Sequence, residues 1–315
     1  MQPAVVVVGS ANADLVVHVD HRPDPGETIL GSDVEVSPGG KGANQAVSVG
    51  KLGGTVAFVG CVGADDEGSL LRGSLEGAGV GLTGLAEVEE PTGTAFIMVT
   101  PDGENSIVVS PSANRRVTPE VVDRAGELLG RARVVVLQLE IPMATVAHVA
   151  RRVAGARLLL NAAPAQPLAP EVLRRCDPLV VNRSEAESLL GAEADEVPDA
   201  THLAAGLLAL GTRSVVVTLG ADGAVVAERG SEPAHVPALE VEAVDTTGAG
   251  DAFVGALALQ LAEGQELREA ASFATKVAAV AVTRRGAQSS YPSRTELGPA
   301  GARPDTKASK LRSRE

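Results

Sequence analysis

The chain has 315 residues, of which 44% are hydrophobic and 21% charged, and it carries a net charge of −13. That length builds one large α/β domain or two ordinary ones; the acidic balance excludes nucleic acid as the main partner, and 2% aromatics without tryptophan exclude a stacking platform for single strands. Cys61 and Cys176 lack metal-ligand spacing and read as two reduced thiols, and the first apolar run is too short for a membrane span, so the expectation is a cytoplasmic protein with no membrane partner.

In chain order, residues 4–8 are a β-branched run expected as a strand buried on both faces. Gly9 to Asp14 read as a polar turn. Residues 15–20 alternate weakly, 21–26 hold two prolines and read as a loop, and 28–36 read as an exposed strand. Ser37 to Asn44 form a glycine-rich loop that opens a helix over 45–52. A buried strand follows at 55–59 and a helix at 67–77. The βα rhythm then breaks. Residues 94–100 and 106–110 alternate as strands around the turn Pro101-Asp102-Gly103-Glu104. With 15–20 and 28–36 they predict a small β-sheet lid, drawn from about 13–38 and 92–111.

Thr118 is a helix N-cap with Pro119 at the first helical position. Buried strands are expected at 134–139, 157–160, 179–181 and 214–219, with helices between them. Asp222-Gly223 turns a hairpin into 224–227, and a last helix covers 267–282. The pattern predicts an α/β fold with a mostly parallel central sheet flanked by helices, forming a single domain through residue 297. The polar stretch 298–315 is expected to be a disordered tail.

The stretch Val244-Asp245-Thr246-Thr247-Gly248-Ala249-Gly250-Asp251-Ala252-Phe253 carries the chemistry. It follows an apolar-alternating region at 241–244. Phe253, Val254, Leu257 and Leu261 recur at helical spacing, and Gly264 is a stop signal. Gly248, Ala249 and Gly250 therefore open a helix whose unpaired N–H groups and positive dipole end attract an anion. Asp251 places a carboxylate beside that anion site. The combination suits phosphoryl transfer, with the amides stabilising charge and the carboxylate taking a proton from a hydroxyl. An Asp there also serves simply to complement the dipole. The chain has no G-x-x-x-x-G-K-[ST] and no G-x-G-x-x-G after the first strand, which excludes a P-loop nucleotidase and counts against a dinucleotide-binding dehydrogenase.

Ligands of such sheets sit beyond the carboxyl ends of the strands. Asn12, Asp14, Glu140, Asn182, Glu185, Thr218, Gly220 and Asp251 all fall there. The stretches GSANAD, SPGGKGANQA, QLE, NRSEAE, TLGADG, DTTGAGDAF and AVTRRGAQ stand in the order and spacing of the PfkB-type carbohydrate kinase family. The resemblance covers residue 5 to about residue 292. The order NAD, PGE, GGKGANQA looks more like the family's ribose kinases than its fructose or nucleoside kinases.

What the resemblance implies is ATP-dependent phosphorylation of D-ribose at O5, with Asp251 as catalytic base and Gly248, Ala249 and Gly250 as the anion hole. By similarity, Asn12, Ala13, Asp14, Gly40, Lys41, Gly42, Ala43, Asn44, Glu140 and Asp251 hold the sugar. The alternative for Lys41 is a solvated loop cation. The nucleotide falls to Asn182, Glu185, Thr218, Leu219, Gly220, Ala221, Asp222, Gly223, Gly250 and Thr275, with Glu185 reaching Mg²⁺ through water. Glu185 would also serve an ordinary helix start. Arg183 is unexpected beside that motif. Asp245, Thr247, Ala281, Arg284, Gly286 and Ser290 match the positions that bind a monovalent cation, K⁺ above all. The lid implies a homodimer. Two other readings stand beside this one: a kinase of another sugar or nucleoside (deoxyribose, fructose), and a sugar-binding regulator without turnover.

Overall fold

The structure, a computed structural model, describes residues 2–102, 104–153, 155–191 and 199–297; Gly103 of the expected hairpin turn and the tail from Gly298 lie outside them. The chain opens with β1 (Val5–Val8), β2 (Asn12–His18), β3 (Glu35–Gly39), α1 (Lys41–Lys51), β4 (Val56–Gly63) and α2 (Asp66–Gly77). It continues with β5 (Gly81–Val88), β6 (Gly93–Val99), β7 (Asn105–Ser110), α3 (Pro119–Arg124), α4 (Gly126–Arg131), β8 (Val134–Leu137) and α5 (Met143–Arg152). Then come β9 (Arg157–Asn161), α6 (Pro170–Leu173), β10 (Cys176–Asn182), α7 (Arg183–Leu190), α8 (Ala200–Ala209) and β11 (Ser214–Thr218). The last elements are β12 (Ala224–Glu228), β13 (Ala234–Val236), α9 (Ala249–Ala262) and α10 (Leu267–Ala281).

Four consecutive valines leave β1 no polar face, so both faces must be covered, and all four are fully buried. Val5 and Val7 point into a core shared with α1, α2, α9 and α10. Val6 and Val8 point into a second core built from α3, α5, α6 and α8. Around β1 the large sheet runs β13-β12-β11-β10-β9-β8-β1-β4-β5, parallel from β5 to β11 and antiparallel for the final hairpin. A four-stranded sheet, β3-β2-β6-β7, stands apart from it as expected of a lid.

The lid's register arranges its faces. Val36, Leu15, Phe96 and Val108 are cross-strand neighbours in one row, while Asp14 pairs with Ser37 and Ala95 in the next. Adjacent rows face opposite sides of a sheet, so Asp14 and the apolar row point apart. In that row Val36, Phe96 and Val108 are exposed at 50%, 51% and 63%.

Several expected boundaries move. Asn12 to Asp14 belong to a strand and not to a turn, because they pair with β3 and β6. The strand expected over 28–36 starts only at Glu35, where a partner first becomes available; before it Gly31 makes one isolated bridge to Val19 and Leu30 is 92% exposed. Lys41 to Asn44 are already helix, since Gly40, with φ of 83°, turns strand into helix in one residue. The region 241–244 forms no strand. The N–H groups of Val244 and Asp245 both donate to Val282 O, so the end of α10 holds this segment instead of the sheet. Two strands, β5 and β13, were not legible: β5 is an edge strand with glycines and a mostly exposed or half-buried pattern, and β13 has three residues. Helix α9 is buried on every side from Asp251 to Ala262, not on one face only, because it lies between α1, α10 and the sheet. Among the described residues no helix is long and apolar enough to cross a membrane.

Candidate active site

Several of the side chains expected to bind ligand come from the first turn of a helix or the residue before it: Lys41 and Asn44 in α1, Asn182 and Glu185 at α7, and Asp251 in α9. Asn182 caps α7: its Oδ1 accepts the Glu185 N–H at 2.8 Å, and Glu185 Oε2 accepts the Asn182 N–H at 2.8 Å. This reciprocal pair is a capping box, so the ordinary helix-starting role of Glu185 is realised. Asp251 sits in the first turn of α9 and is buried. Gly248 is its N-cap at φ 72°, and a Cβ there would come within 2.6 Å of Tyr291 Oη, so the position admits only glycine. Tyr291 Oη in turn donates to Gly248 O at 3.0 Å. The helical ladder of α9 begins with Ala252 N–H on Gly248 O, which leaves the preceding amides outside it. Ala249 departs from the expectation: its N–H donates to Thr246 O at 3.2 Å inside the turn.

These pieces meet in a cavity of about 150 Å³ beyond the carboxyl ends of β9, β10 and β11. It is lined among others by Lys41, Asn182, Glu185, Thr218, Gly248, Gly250 and Asp251. A second cavity of about 580 Å³ lies beneath the lid strand β7 and is bordered by Val109, Leu139, Glu140 and Met143. Glu140 is fixed by Ser10 Oγ, which donates to its Oε2 at 2.5 Å, and by the Lys41 N–H at 3.1 Å. Asn12 has its Oδ1 engaged by Asn114 Nδ2 at 2.7 Å. An amide whose oxygen is engaged presents its NH₂ elsewhere.

Charge is concentrated here. Asp251, Glu140, Glu185 and Asp14 surround Lys41; the Asp251 carboxylate above all holds its ammonium charged, against the opposing effect of burial. The reading of Lys41 as a solvated loop cation therefore fails. Burial pushes the Asp14 carboxyl up to about 7, helped by Glu140 and Asp251 and opposed by Lys41. Glu185 is also pushed up by burial, against the lowering effect of its bond from the Asn182 N–H.

The segment before α9 is tied to the end of the chain. Asp245 Oδ1 accepts the Thr247 N–H at 2.9 Å and its Oδ2 accepts the Gly286 N–H at 2.7 Å. Burial disfavours the Asp245 charge, but these bonds outweigh it and hold the carboxyl below its usual range. Arg284 sends its side chain to Glu296 at 2.8 Å, Ala281 O accepts the Arg284 N–H, and the Ser290 hydroxyl donates to Ala287 O. Of these cation candidates the structure joins Asp245, Thr247 and Gly286 directly.

Some expected residues stand apart from the cavity. Gly220 to Asp222 form an exposed turn joining β11 to β12, with Leu219 N–H donating to Gly223 O. The Thr275 hydroxyl donates to Ser272 O within α10. Ala13 is fully buried and lies on the lid face opposite Asp14, while Gly42 and Ala43 are buried within the first turn of α1. Ser10, Gln45, Asn114, Asn161 and Gln288, which reach the site through hydrogen bonds, escaped the sequence reading. Ser10, Gln45 and Gln288 lie inside motifs quoted above (GSANAD, SPGGKGANQA and AVTRRGAQ) and were within reach; Asn114 and Asn161 lie in none of them.

The model of the pfkB family carbohydrate kinases matches residues 2–294. The ribokinase of Haemophilus influenzae is 38% identical over 300 residues, covering 94% of this chain and 97% of that protein. The deoxyribokinase of Salmonella typhi is 38% identical over 293 residues, covering 92% and 95%. Among solved structures, that of Arabidopsis thaliana ribokinase complexed with ribose and ATP superposes with a TM-score of 0.87 at 37% identity, covering 94% of this chain and 98% of the other.

Proposed function

The chain belongs to the pfkB family of carbohydrate kinases, and from that premise we propose that it transfers the terminal phosphoryl group of ATP to O5 of D-ribose, giving D-ribose 5-phosphate and ADP. The observation that carries this reading is the position of Asp251, a buried carboxylate in the first turn of α9 that shares a cavity with Lys41, Asn182 and Glu185. A sugar hydroxyl attacks poorly until its proton has an acceptor, and Asp251 is that acceptor. The α9 N-terminus and the Lys41 ammonium favour the negative phosphoryl group at the same place. Asn12, Asp14 and Glu140 supply the donors and acceptors that hold the ribose hydroxyls.

Among the described residues no three His, Cys, Asp or Glu side chains gather as a metal cage. Mg²⁺ would then be held chiefly by phosphates and water, with Asn182 and Glu185 beside it; the capping bond at Glu185 Oε2 leaves a second carboxylate oxygen for a water bridge. Bound Mg²⁺ supplies charge neutralisation on the phosphates. Asp245, with carbonyls of Ala281, Arg284 and Gly286 and with Ser290, suits a hard monovalent cation such as K⁺, which would brace the two loops that Asp245 already bridges. The exposed apolar row of the lid suits a second copy of the chain, giving a homodimer.

Asp251→Asn keeps the shape and removes the base. The expected result is a kcat lower by about 10²–10⁴-fold with ribose; near-normal kcat would refute the assignment. The deoxyribokinase relative makes 2-deoxyribose the second substrate to assay: ADP release with a panel of ribose, 2-deoxyribose, fructose and nucleosides ranks them, and no turnover with any leaves the sugar-binding regulator.

A further inference from the structure

Two chains of side-chain hydrogen bonds converge on the Asp251 carboxylate, and each runs in one direction. In the first, Ser74 Oγ donates to Gln288 Oε1 at 2.6 Å, Gln288 Nε2 donates to Asn44 Oδ1 at 2.9 Å, and Asn44 Nδ2 donates to Asp251 Oδ2 at 3.0 Å. In the second, Gln138 Nε2 donates to Gln45 Oε1 at 2.5 Å, and Gln45 Nε2 donates to Asp251 Oδ1 at 2.9 Å and to Asn161 Oδ1 at 3.1 Å. Asn44, Gln45, Gln138 and Gln288 are all buried.

An amide has one accepting and one donating end, so engaging its oxygen decides which way its NH₂ points. Gln138 therefore fixes Gln45 as a donor, and Gln288 fixes Asn44 as a donor. Each Asp251 oxygen receives one of them. The carboxylate cannot rotate without breaking both bonds, yet each oxygen keeps a further acceptor site. Neither Gln45 nor Gln288 lines the cavity. Polar amides are costly in a core unless something uses them.

We propose that Gln45 and Gln288 are positioning residues of the phosphoryl transfer: Gln45 holds Asp251 Oδ1 directly and Gln288 holds Oδ2 through Asn44, so that the carboxylate faces the attacking hydroxyl. This rests on Asp251 being the base. The effect belongs to the chemical step, since the aim of the base matters when the proton moves and not when ribose binds.

The test uses the full chain with ribose, ATP, Mg²⁺ and saturating K⁺. Gln45→Met and Gln288→Met each lower kcat about tenfold or more, leave KM for ribose within about twofold, and remain folded by thermal melting. Gln288→Glu loses more than Gln288→Met, because a carboxylate only accepts; Asn44 then turns its NH₂ to residue 288 and its oxygen to Asp251. In an Asp251→Asn background the same substitutions lower kcat no further. A Gln45 variant that fails to fold leaves the two Gln288 variants to decide. Folded variants with unchanged kcat, beside a crippled Asp251→Asn, overturn the clamp alone, as does an equal loss with and without the Asp251 carboxylate. Near-normal kcat in Asp251→Asn by itself overturns the base assignment and the clamp together.

Discussion

Ribose affinity is expected to rise with pH through neutrality, because of Asp14. Its carboxyl is pushed up to about 7 by burial and by the neighbouring Glu140 and Asp251 carboxylates, with Lys41 partly compensating. If Asp14 holds the sugar as proposed, its ionised carboxylate would accept hydrogen bonds from sugar hydroxyls, whereas the protonated form loses acceptor capacity. The sign follows: binding is strongest above pH 7 and is lost as pH falls through 7, the carboxyl releasing its proton when ribose binds. With a midpoint near 7, about nine-tenths of the groups are ionised at pH 8 and about one-tenth at pH 6, so the dissociation constant for ribose should rise about tenfold across that range. Calorimetric titration of ribose without nucleotide measures this free of any contribution from the chemical step. Repeating it at pH 6.5 in buffers of different ionisation enthalpy shows the released proton directly. Asp14→Asn should bind more weakly and lose the slope. A dissociation constant that stays flat from pH 6 to 8, or a slope that survives Asp14→Asn, would refute the argument.

Two other outcomes follow from the same geometry. Activity in tetramethylammonium buffer at constant ionic strength should rise on adding K⁺, and Asp245→Ala, which removes the carboxylate joining Thr247 to Gly286, should abolish the response; equal rates with and without K⁺ would dispose of the site. Light scattering at micromolar concentration should report a dimer, and Phe96→Asp, which places a charge in the exposed row between Leu15 and Val108, should report a monomer with its thermal melt intact; a clean monomer for the unaltered chain would exclude the lid interface.

The fold was legible wherever one local pattern decided it. Four β-branched valines in a row are the sign of a strand buried on both faces, and β1 has its neighbours β4 and β8 on both sides. The lid was legible because the strands at 94–100 and 106–110, joined by a turn, break the βα rhythm of the rest of the chain. The alternation at 241–244 makes no strand: the carbonyl that claims the Val244 and Asp245 amides is Val282 O, on the far side of α9 in sequence. β5 stayed hidden because an edge strand needs little burial and so leaves little pattern.

The site divides in the same way. Asp251 could be singled out because the glycine turn and helix start coincide with DTTGAGDAF, one of several separated stretches that match a single family in order and spacing. Some of the residues around it stand in the quoted motifs, but the bonds they make could not be read, since those from Asn44 and Gln45 span 207 and 206 residues, and that from Gln288 to Asn44 spans 244. No periodicity carries contacts of that range. Nor does residue type reveal them, because a glutamine in a helix such as α1 reads as solvent-facing until the opposite element is in place. There is a physical reason for amides to fill this role. A base must be held firmly and must still take up a proton. Lys or Arg at Gln45 would put a second positive charge beside Asp251, which Lys41 already faces. A neutral NH₂ fixes the direction of the carboxylate without adding charge to the site. The positive charge in the cavity comes instead from Lys41, which Glu140, Glu185 and Asp14 share with Asp251.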